Sequence, residues 1–294
     1  MNIIPILHIE QFEKEIASAE IYSNVLSTHL VTNEHIIHTP HKHDFFLCVL
    51  FTKGTGIHEI DFDSYDVGPG SVFFLKPGQT HSWKFDDAPE GYIFFHTQDF
   101  YEFHFSNSKL SQFPFYFSQI NSPFLRLSIE DTDAIAVRFK EINTEYYMQL
   151  PYKEQKIANL INLVYMDLAR HYSAVANTRV ISSVAYLQAL ETLEKTIEIH
   201  FKEEKSASFY ASQLHISPKH LNRITKNTID KTTTEVIMER VMLEAKRLIV
   251  HTDHSLSSIS ETLGYDDYAY FSKLFKMKSG MTPYDFKKKY SVGV

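Results

Sequence analysis

QLHISPKHLNRITKNTIDKTTTEVI, residues Gln213–Ile237, is repeated further on as TLGYDDYAYFSKLFKMKSGMTPYDF, residues Thr262–Phe286. Leu214 pairs with Leu263 and Ile216 with Tyr265. One residue is then added in the second turn, after which Leu221 pairs with Phe271, Arg223 with Lys273, Ile224 with Leu274, Lys226 with Lys276 and Thr232 with Thr282. Self-similarity of this kind marks a duplicated supersecondary unit. Each copy reads as helix, tight turn, helix. In the first, Phe209–Leu214 is a short helix, His215-Ile216 turns, and Ser217 as N-cap with Pro218 at the first helical position starts the next. In the second, Leu256–Leu263 ends at Gly264, a C-cap residue, and Asp266 or Asp267 caps the second helix of the copy.

Leu221 and Ile224, like Phe271, Leu274 and Phe275, face a core. The residues left outward are Lys219, His220, Asn222, Arg223 and Lys226 in one copy, and Tyr268, Ala269, Ser272, Lys273 and Lys276 in the other. Neither set holds an acid. Side chains of these types read base edges and phosphates in the major groove of double-stranded DNA. A single basic helix face is commonly just solvated, but two equivalent faces at repeated spacing point to a DNA-reading pair.

Whole-chain charge hides this. The 294 residues carry a net −7. Residues 183–294 hold 16 Lys and Arg against 14 Asp and Glu, a net of +2, while residues 1–182 sum to −9. The acidity belongs to the front half, and the placement of charge decides more than its total. One cysteine, Cys48, excludes an intrachain disulfide. No apolar run reaches the ~18 residues of a spanning helix, and the N-terminus lacks a basic n-region. A cytoplasmic protein with no membrane partner is expected.

The front half reads as strands followed by helices, so an α+β class with two domains is expected. Strand candidates are Leu30–Thr39, Phe45–Thr52, Ile57–Phe62, Ser71–Leu75, His81–Phe85 and Tyr92–His96, separated by Gly/Pro turns such as Gly68-Pro69-Gly70 and Lys76-Pro77-Gly78. Many short strands with such turns mean a sandwich or barrel. Period two puts His41, His43, Phe45, Leu47, Val49 and Phe51 on one face, expected inward, and Cys48 on the other. Then Ile135, Phe139, Ile142 and Tyr146 are spaced 4, 3, 4, and Ile157, Ile161, Val164 and Leu168 repeat that spacing, giving two amphipathic helices broken at Leu150-Pro151. Either stripe could cover the barrel, and the second could also form a seam in a homodimer. The seam is the expectation adopted for Ile157, Ile161, Val164 and Leu168. The expected boundaries are 1–172, a linker over 173–182, and 183–294.

Residues 206–290 resemble the double helix-turn-helix domain of the AraC/XylS family of transcription regulators. The resemblance rests on SPKHLNRITK, EVIMERVMLEAKRLI and SISETLGYDDYAYFSKLFKMKSGMTP. It implies a linking helix over Val236–Val250, and base-reading positions at Lys219, Asn222 and Arg223 and at Tyr268, Ala269, Ser272 and Lys273. Two departures stand out: Asp230 where Gly is usual and Thr225 where Phe is usual. HKHDFFLCVLFTKGTGIHEIDF and GPGSVFFLKPGQTHSW are similar to the family's cupin-like sensor barrel, over roughly residues 25–98. The resemblance implies a regulator that binds double-stranded DNA and a small-molecule effector, with a sugar as one candidate, and that meets RNA polymerase.

His41, His43 and His81 also match the cupin metal pattern, which suits Fe(II), Zn or Ni. The usual glutamate ligand is missing, since Leu47 and Cys48 stand there. Three readings stay open for these histidines: a metal-dependent, dioxygenase-like enzyme, ligand contacts in a metal-free pocket, or structure at the barrel mouth. The expectation adopted is the second, with His41, His43, Phe45, His81 and Trp83 contacting the effector, no cofactor, and no enzymatic role.

Overall fold

The computed structural model describes residues 4–12, 20–37, 39–105, 110–117, 121–175 and 184–290. Chain contacts divide it into two compact units between Thr178 and Arg179. No described helix is long and apolar enough to cross a membrane.

The front unit begins with β1 (Ile6–Leu7), β2 (Ile21–Val25), α1 (Leu26–Thr32), α2 (Glu34–Ile37) and β3 (Lys42–His43). Seven strands complete it: β4 (Phe46–Lys53), β5 (Gly56–Ile60), β6 (Asp63–Val67), β7 (Ser71–Leu75), β8 (His81–Phe85), β9 (Glu90–His96) and, later, β10 (Phe124–Arg126). One sheet runs β10-β7-β4-β9-β2 and another β6-β5-β8, while β1 pairs with β3. β7 and β8 match the expected strands residue for residue. Leu30–Thr39 does not. It lies largely in α1 and α2, because the polar groups that a strand would leave stranded are satisfied locally. His29 Nδ1 meets Tyr22 Oη at 2.8 Å, and the Asn33 carboxamide donates to the His29 carbonyl at 2.9 Å. The β-branched Val31 that suggested a strand is 79% exposed.

Every residue from Phe46 to Phe51 is buried, because β4 has cover on both faces. Inward, Phe51 and Phe73 meet edge to face at 5.9 Å, and Phe45 stacks on Phe95 at 4.5 Å. Outward, helices close over the sheet: α3 (Gln98–His104), α4 (Pro114–Phe117), α5 (Ile129–Tyr147) and α6 (Lys153–Val175). Phe74 stacks on Phe115 at 3.8 Å, and Phe94 packs on Phe139 and Tyr165.

α5 and α6 run antiparallel, as the short break predicts. Asp131 faces His171, Arg138 bonds Asp167 at 2.8 Å, and Glu145 bonds Lys156 at 2.5 Å. The expected dimer seam is corrected here. Ile157, Ile161, Val164 and Leu168 are all fully buried within their own unit. An apolar stripe goes to the nearest apolar surface, and the core of the stripe's own unit, which all four residues join, supplies it. The expected linker is also shortened, since α6 continues through residues 173–175; residues 176–182 lie outside the described ones.

The rear unit is all helical: α7 (Val184–His200), α8 (Ala207–Gln213), α9 (Pro218–Ile229), α10 (Thr233–His251), α11 (Leu256–Thr262), α12 (Tyr268–Ser279) and α13 (Pro283–Tyr290). The two-domain α+β expectation holds. α7 extends the unit ahead of the repeat. Leu190, Leu193 and Ile197 bury its inner face, and Glu198 takes Arg240 of α10 by two bonds of 2.5 and 3.0 Å. The Arg240 guanidinium also lies 4.0 Å from the Phe201 ring.

Candidate functional sites

The repeat seen in the sequence is a repeat of backbone hydrogen bonds. After α8, Ile216 N–H donates to the Ala211 carbonyl at 3.0 Å; after α11, Tyr265 N–H donates to the Ser260 carbonyl at 2.9 Å. His215 and Gly264 hold the matching left-handed position of each turn, at φ 55° and 73°. Four residues separate α8 from α9 and five separate α11 from α12, so the added residue falls in the second turn as expected. Ser217 caps α9 by accepting from His220 N–H, and Asp267 caps α12 by accepting from Ala269 N–H.

α9 and α12 are each 12 residues long and contain no acid. Lys219, Arg223 and Lys226 are exposed along one face of α9 at i, i+4 and i+7. Ala269, Lys273 and Lys276 occupy the matching row of α12 and are exposed too. The other four expected positions are only half open. His220 lies edge-on to Tyr186 at 6.2 Å. Asn222 accepts the first N–H of α10, from Thr233, at 3.1 Å, so its carboxamide oxygen is committed to holding the next helix. Tyr268 packs toward Phe271 at 6.4 Å, and Ser272 sits beside it on the inner shoulder. Tyr270, 59% exposed, is the open aromatic of α12 and lies outside the set expected from the sequence. It stands at the position that matches His220 of α9 in the repeat, which is the signal that could have found it.

In the front unit the expected ligand residues do meet, but as a packed cluster rather than an open mouth. His41, His43 and His81 are each at most 2% exposed, and Phe45 is fully buried. Strand pairing explains the convergence: His41 bridges His81 across the start of β8, and β5 sets His58 level with Trp83. His43 Nε2 lies 2.9 Å from His81 Nε2, and His58 Nε2 lies 2.9 Å from His81 Nδ1. His41 Nδ1 reaches the Thr39 carbonyl at 2.9 Å. Phe45 stacks on His43 at 4.6 Å, and half-buried Trp83 closes on His81 and His58, both at 5.1 Å. The candidate ligand atoms of His41, His43 and His81 all lie within 4.8 Å of one another.

Burial holds these rings neutral. It lowers His43 and His29 to about 3, pushes His58 and His81 well below the usual imidazole value, and lowers His41 as well. Neutral imidazole is the form that binds metals. Cys48 falls on the other face of β4, beside Tyr116 and Tyr165, with its thiol pushed up by burial. Strand alternation is unbroken across it, so the thiol does not join the histidines.

Comparison with known proteins agrees with this division of labour. Residues 31–96 match the family described as an AraC-like ligand binding domain, and residues 210–289 match one described as a helix-turn-helix domain. The HTH-type transcriptional activator RhaS of Klebsiella pneumoniae is 26% identical over 265 residues, covering 84% of this chain and 87% of its own. The HTH-type transcriptional activator RhaR of Mannheimia succiniciproducens is 20% identical over 253 residues, covering 85% and 87%. Among solved structures, ToxT of Vibrio cholerae aligns with 92% of this chain and 99% of its own at 12% identity and a TM-score of 0.44. A strand-rich ligand-binding half joined to a duplicated helix-turn-helix half is the arrangement of AraC/XylS transcription regulators, and the chain belongs to that family.

Proposed function

We infer that the chain is a ligand-responsive regulator that reads DNA sequence by setting α9 and α12 into successive major-groove segments. One observation carries the reading: two helices of equal length, in matching turn scaffolds, expose the same acid-free row, Lys219–Arg223–Lys226 and Ala269–Lys273–Lys276. Arg223 and Lys273 are the base-reading side chains, and Lys226 and Lys276, a turn further on, meet phosphates. Asn222 holds α10 in place and contributes less to reading than its type suggests. The front unit supplies the effector response through differential affinity for the DNA-competent state. A homodimer would use the outward faces of α5 and α6, where Val137, Leu163 and Met166 are exposed, since the inward stripes are spent in the unit's own core.

A footprint of the full chain tests this. Two protected segments about 10 base pairs apart are expected, with affinity falling linearly as log salt rises. A single protected segment, or binding insensitive to salt, would overturn it.

A further inference from the structure

The buried histidines among the described residues of the front unit fall into two kinds. Some are settled by ordinary partners. His96 is fully buried, yet its Nδ1 meets the Thr97 carbonyl at 2.9 Å and its Nε2 meets Tyr165 Oη at 2.7 Å. His29 has Tyr22 Oη and Asn33. The other kind is the cluster of His41, His43, His58 and His81. Its polar side-chain contacts are imidazole to imidazole apart from the Thr39 carbonyl, and the Nδ1 atoms of both His43 and His58 are buried without a hydrogen-bond partner.

The cluster has the form of a coordination site. A ligating imidazole is oriented by what its other nitrogen touches. His41 Nδ1 can donate to the Thr39 carbonyl, and His81 Nδ1 can donate to His58 Nε2. Both rings then present Nε2 with a free lone pair, and His43 adds its own Nε2 from 2.9 Å away. Two nitrogens bonded at ~2.1 Å and at a right angle around one ion stand ~3.0 Å apart. The separation seen is that of a coordination edge. Three neutral imidazoles, with no thiolate or carboxylate, suit a borderline first-row ion and not calcium or magnesium. The three candidate ligand atoms lie within 4.8 Å of one another, wider than the ~4.2 Å that two such bonds span, so His41 draws inward on an ion, whereas a sugar would have to separate His43 from His81. Thr39 and Pro40, directly before His41, are exposed, as is Gly78, which donates its N–H to the His43 carbonyl.

We propose that His41, His43 and His81 bind one divalent first-row transition-metal ion, held in register by Thr39 and His58, and that this ion is the effector sensed by the front unit. The second clause rests on the regulator reading above.

The test uses the full chain freed of metal by chelation. Titration with Co(II) should give a ligand-field absorption band saturating at one ion per chain, with a rise in melting temperature. His43→Gln and His81→Gln should each abolish the band. His58→Gln, at a positioning residue, should keep the band and weaken binding about 10- to 100-fold. His96→Gln, at an equally buried histidine outside the cluster, should bind as the parent does. Absence of a band and of a melting shift with Co(II), Ni(II) and Zn(II) overturns the site. So does a band that survives His43→Gln and His81→Gln. Where those variants fail to fold, X-ray absorption of the Zn-loaded parent decides, with three imidazole ligands expected and fewer overturning the site. Operator binding measured on the same samples should change at least 5-fold on loading. An ion that binds without altering DNA affinity overturns the effector role alone. A chain that takes up the ion but binds no DNA faults the regulator reading and leaves the site standing.

Discussion

In the first helix-turn-helix unit, Thr225 and Thr233 bury their hydroxyls against each other at 3.3 Å; in the second, the matching positions are Phe275 and Pro283, and Phe275 packs edge-on to Phe286 at 5.4 Å. The left-handed residues differ in the same sense. The first unit uses His215 and Asp230, both at φ 55°, where the second uses Gly264 and Gly280. The caps of the helices that follow, α10 and α13, do not differ. Thr232 and Thr282 each accept from the N–H three residues on, at 3.2 Å. Backbone capping therefore fixes the shape of the unit, and core chemistry is free to vary beneath it. The variation has a cost in firmness. A hydroxyl pair buries less apolar surface than a phenyl ring, and non-glycine residues in the left-handed region carry strain.

The largest expected effect separates the two cores. Phe275→Ala should cost about 3–5 kcal/mol, as large core truncations do. Thr225→Ala, at the matching site, should cost about 1–2 kcal/mol, mostly for leaving the Thr233 hydroxyl unpaired. Equal losses in denaturant unfolding would erase the distinction between the cores. Next come the turns. At Gly264 a Cβ would run into the Lys202 carbonyl oxygen, whereas at Gly280 it would meet nothing within 4 Å. Gly264→Ala should therefore cost about 2–4 kcal/mol and Gly280→Ala about 1, from the left-handed backbone alone. Similar melting shifts for the two would show that Lys202 gives way.

DNA binding sharpens the comparison further. Arg223→Ala should lose about 1–3 kcal/mol on the specific site and relax preference at one base pair. Lys273→Ala should lose less, because an ammonium lacks the planar fork. If competition binding shows Arg223→Ala weakening all sequences alike, Arg223 contacts phosphate and the assignment fails. The smallest effect is a gain: Asp230→Gly should stabilise the chain by about 0.5–1 kcal/mol by relieving the left-handed backbone. A loss in the same unfolding assay would mean the aspartate is held by something other than its cap.

Much of the fold is legible in the sequence because local signals agree with one another. The duplicated turn, the one-residue insertion and the 4, 3, 4 stripes all come from spacing alone. The positions that escape are those where the apolar residue is not the buried one. On β5, Ile57 is 41% exposed while His58 is fully buried. Reading the strand from Ile57 turns His58 outward; reading it from Ile60, which is buried, turns it in. The stripe on α6 fails differently. Its spacing is right, but a helical period says that a face is buried and not against what. Asn222 shows the same limit, since its side-chain type fits base reading while its neighbour Thr233 claims the oxygen.

The sealed histidines carry a consequence for how the front unit tolerates acid. Six imidazoles, those of His29, His41, His43, His58, His81 and His96, have their proton affinity lowered by burial. Below about pH 6.5 the unfolded chain takes up protons that the folded barrel refuses, so stability rises with pH there and drains away on acidification. The window runs from about pH 6.5 down to about 4 for His96, and to about 3 for His29 and His43. Unfolding between pH 4 and 6 should therefore consume protons from the buffer, which calorimetry in buffers of differing ionisation enthalpy reads directly. Proton-neutral unfolding in that range would mean the cluster opens before the barrel does. The barrel that keeps its imidazoles neutral by burying them thereby becomes a unit that loses stability as the solution is acidified.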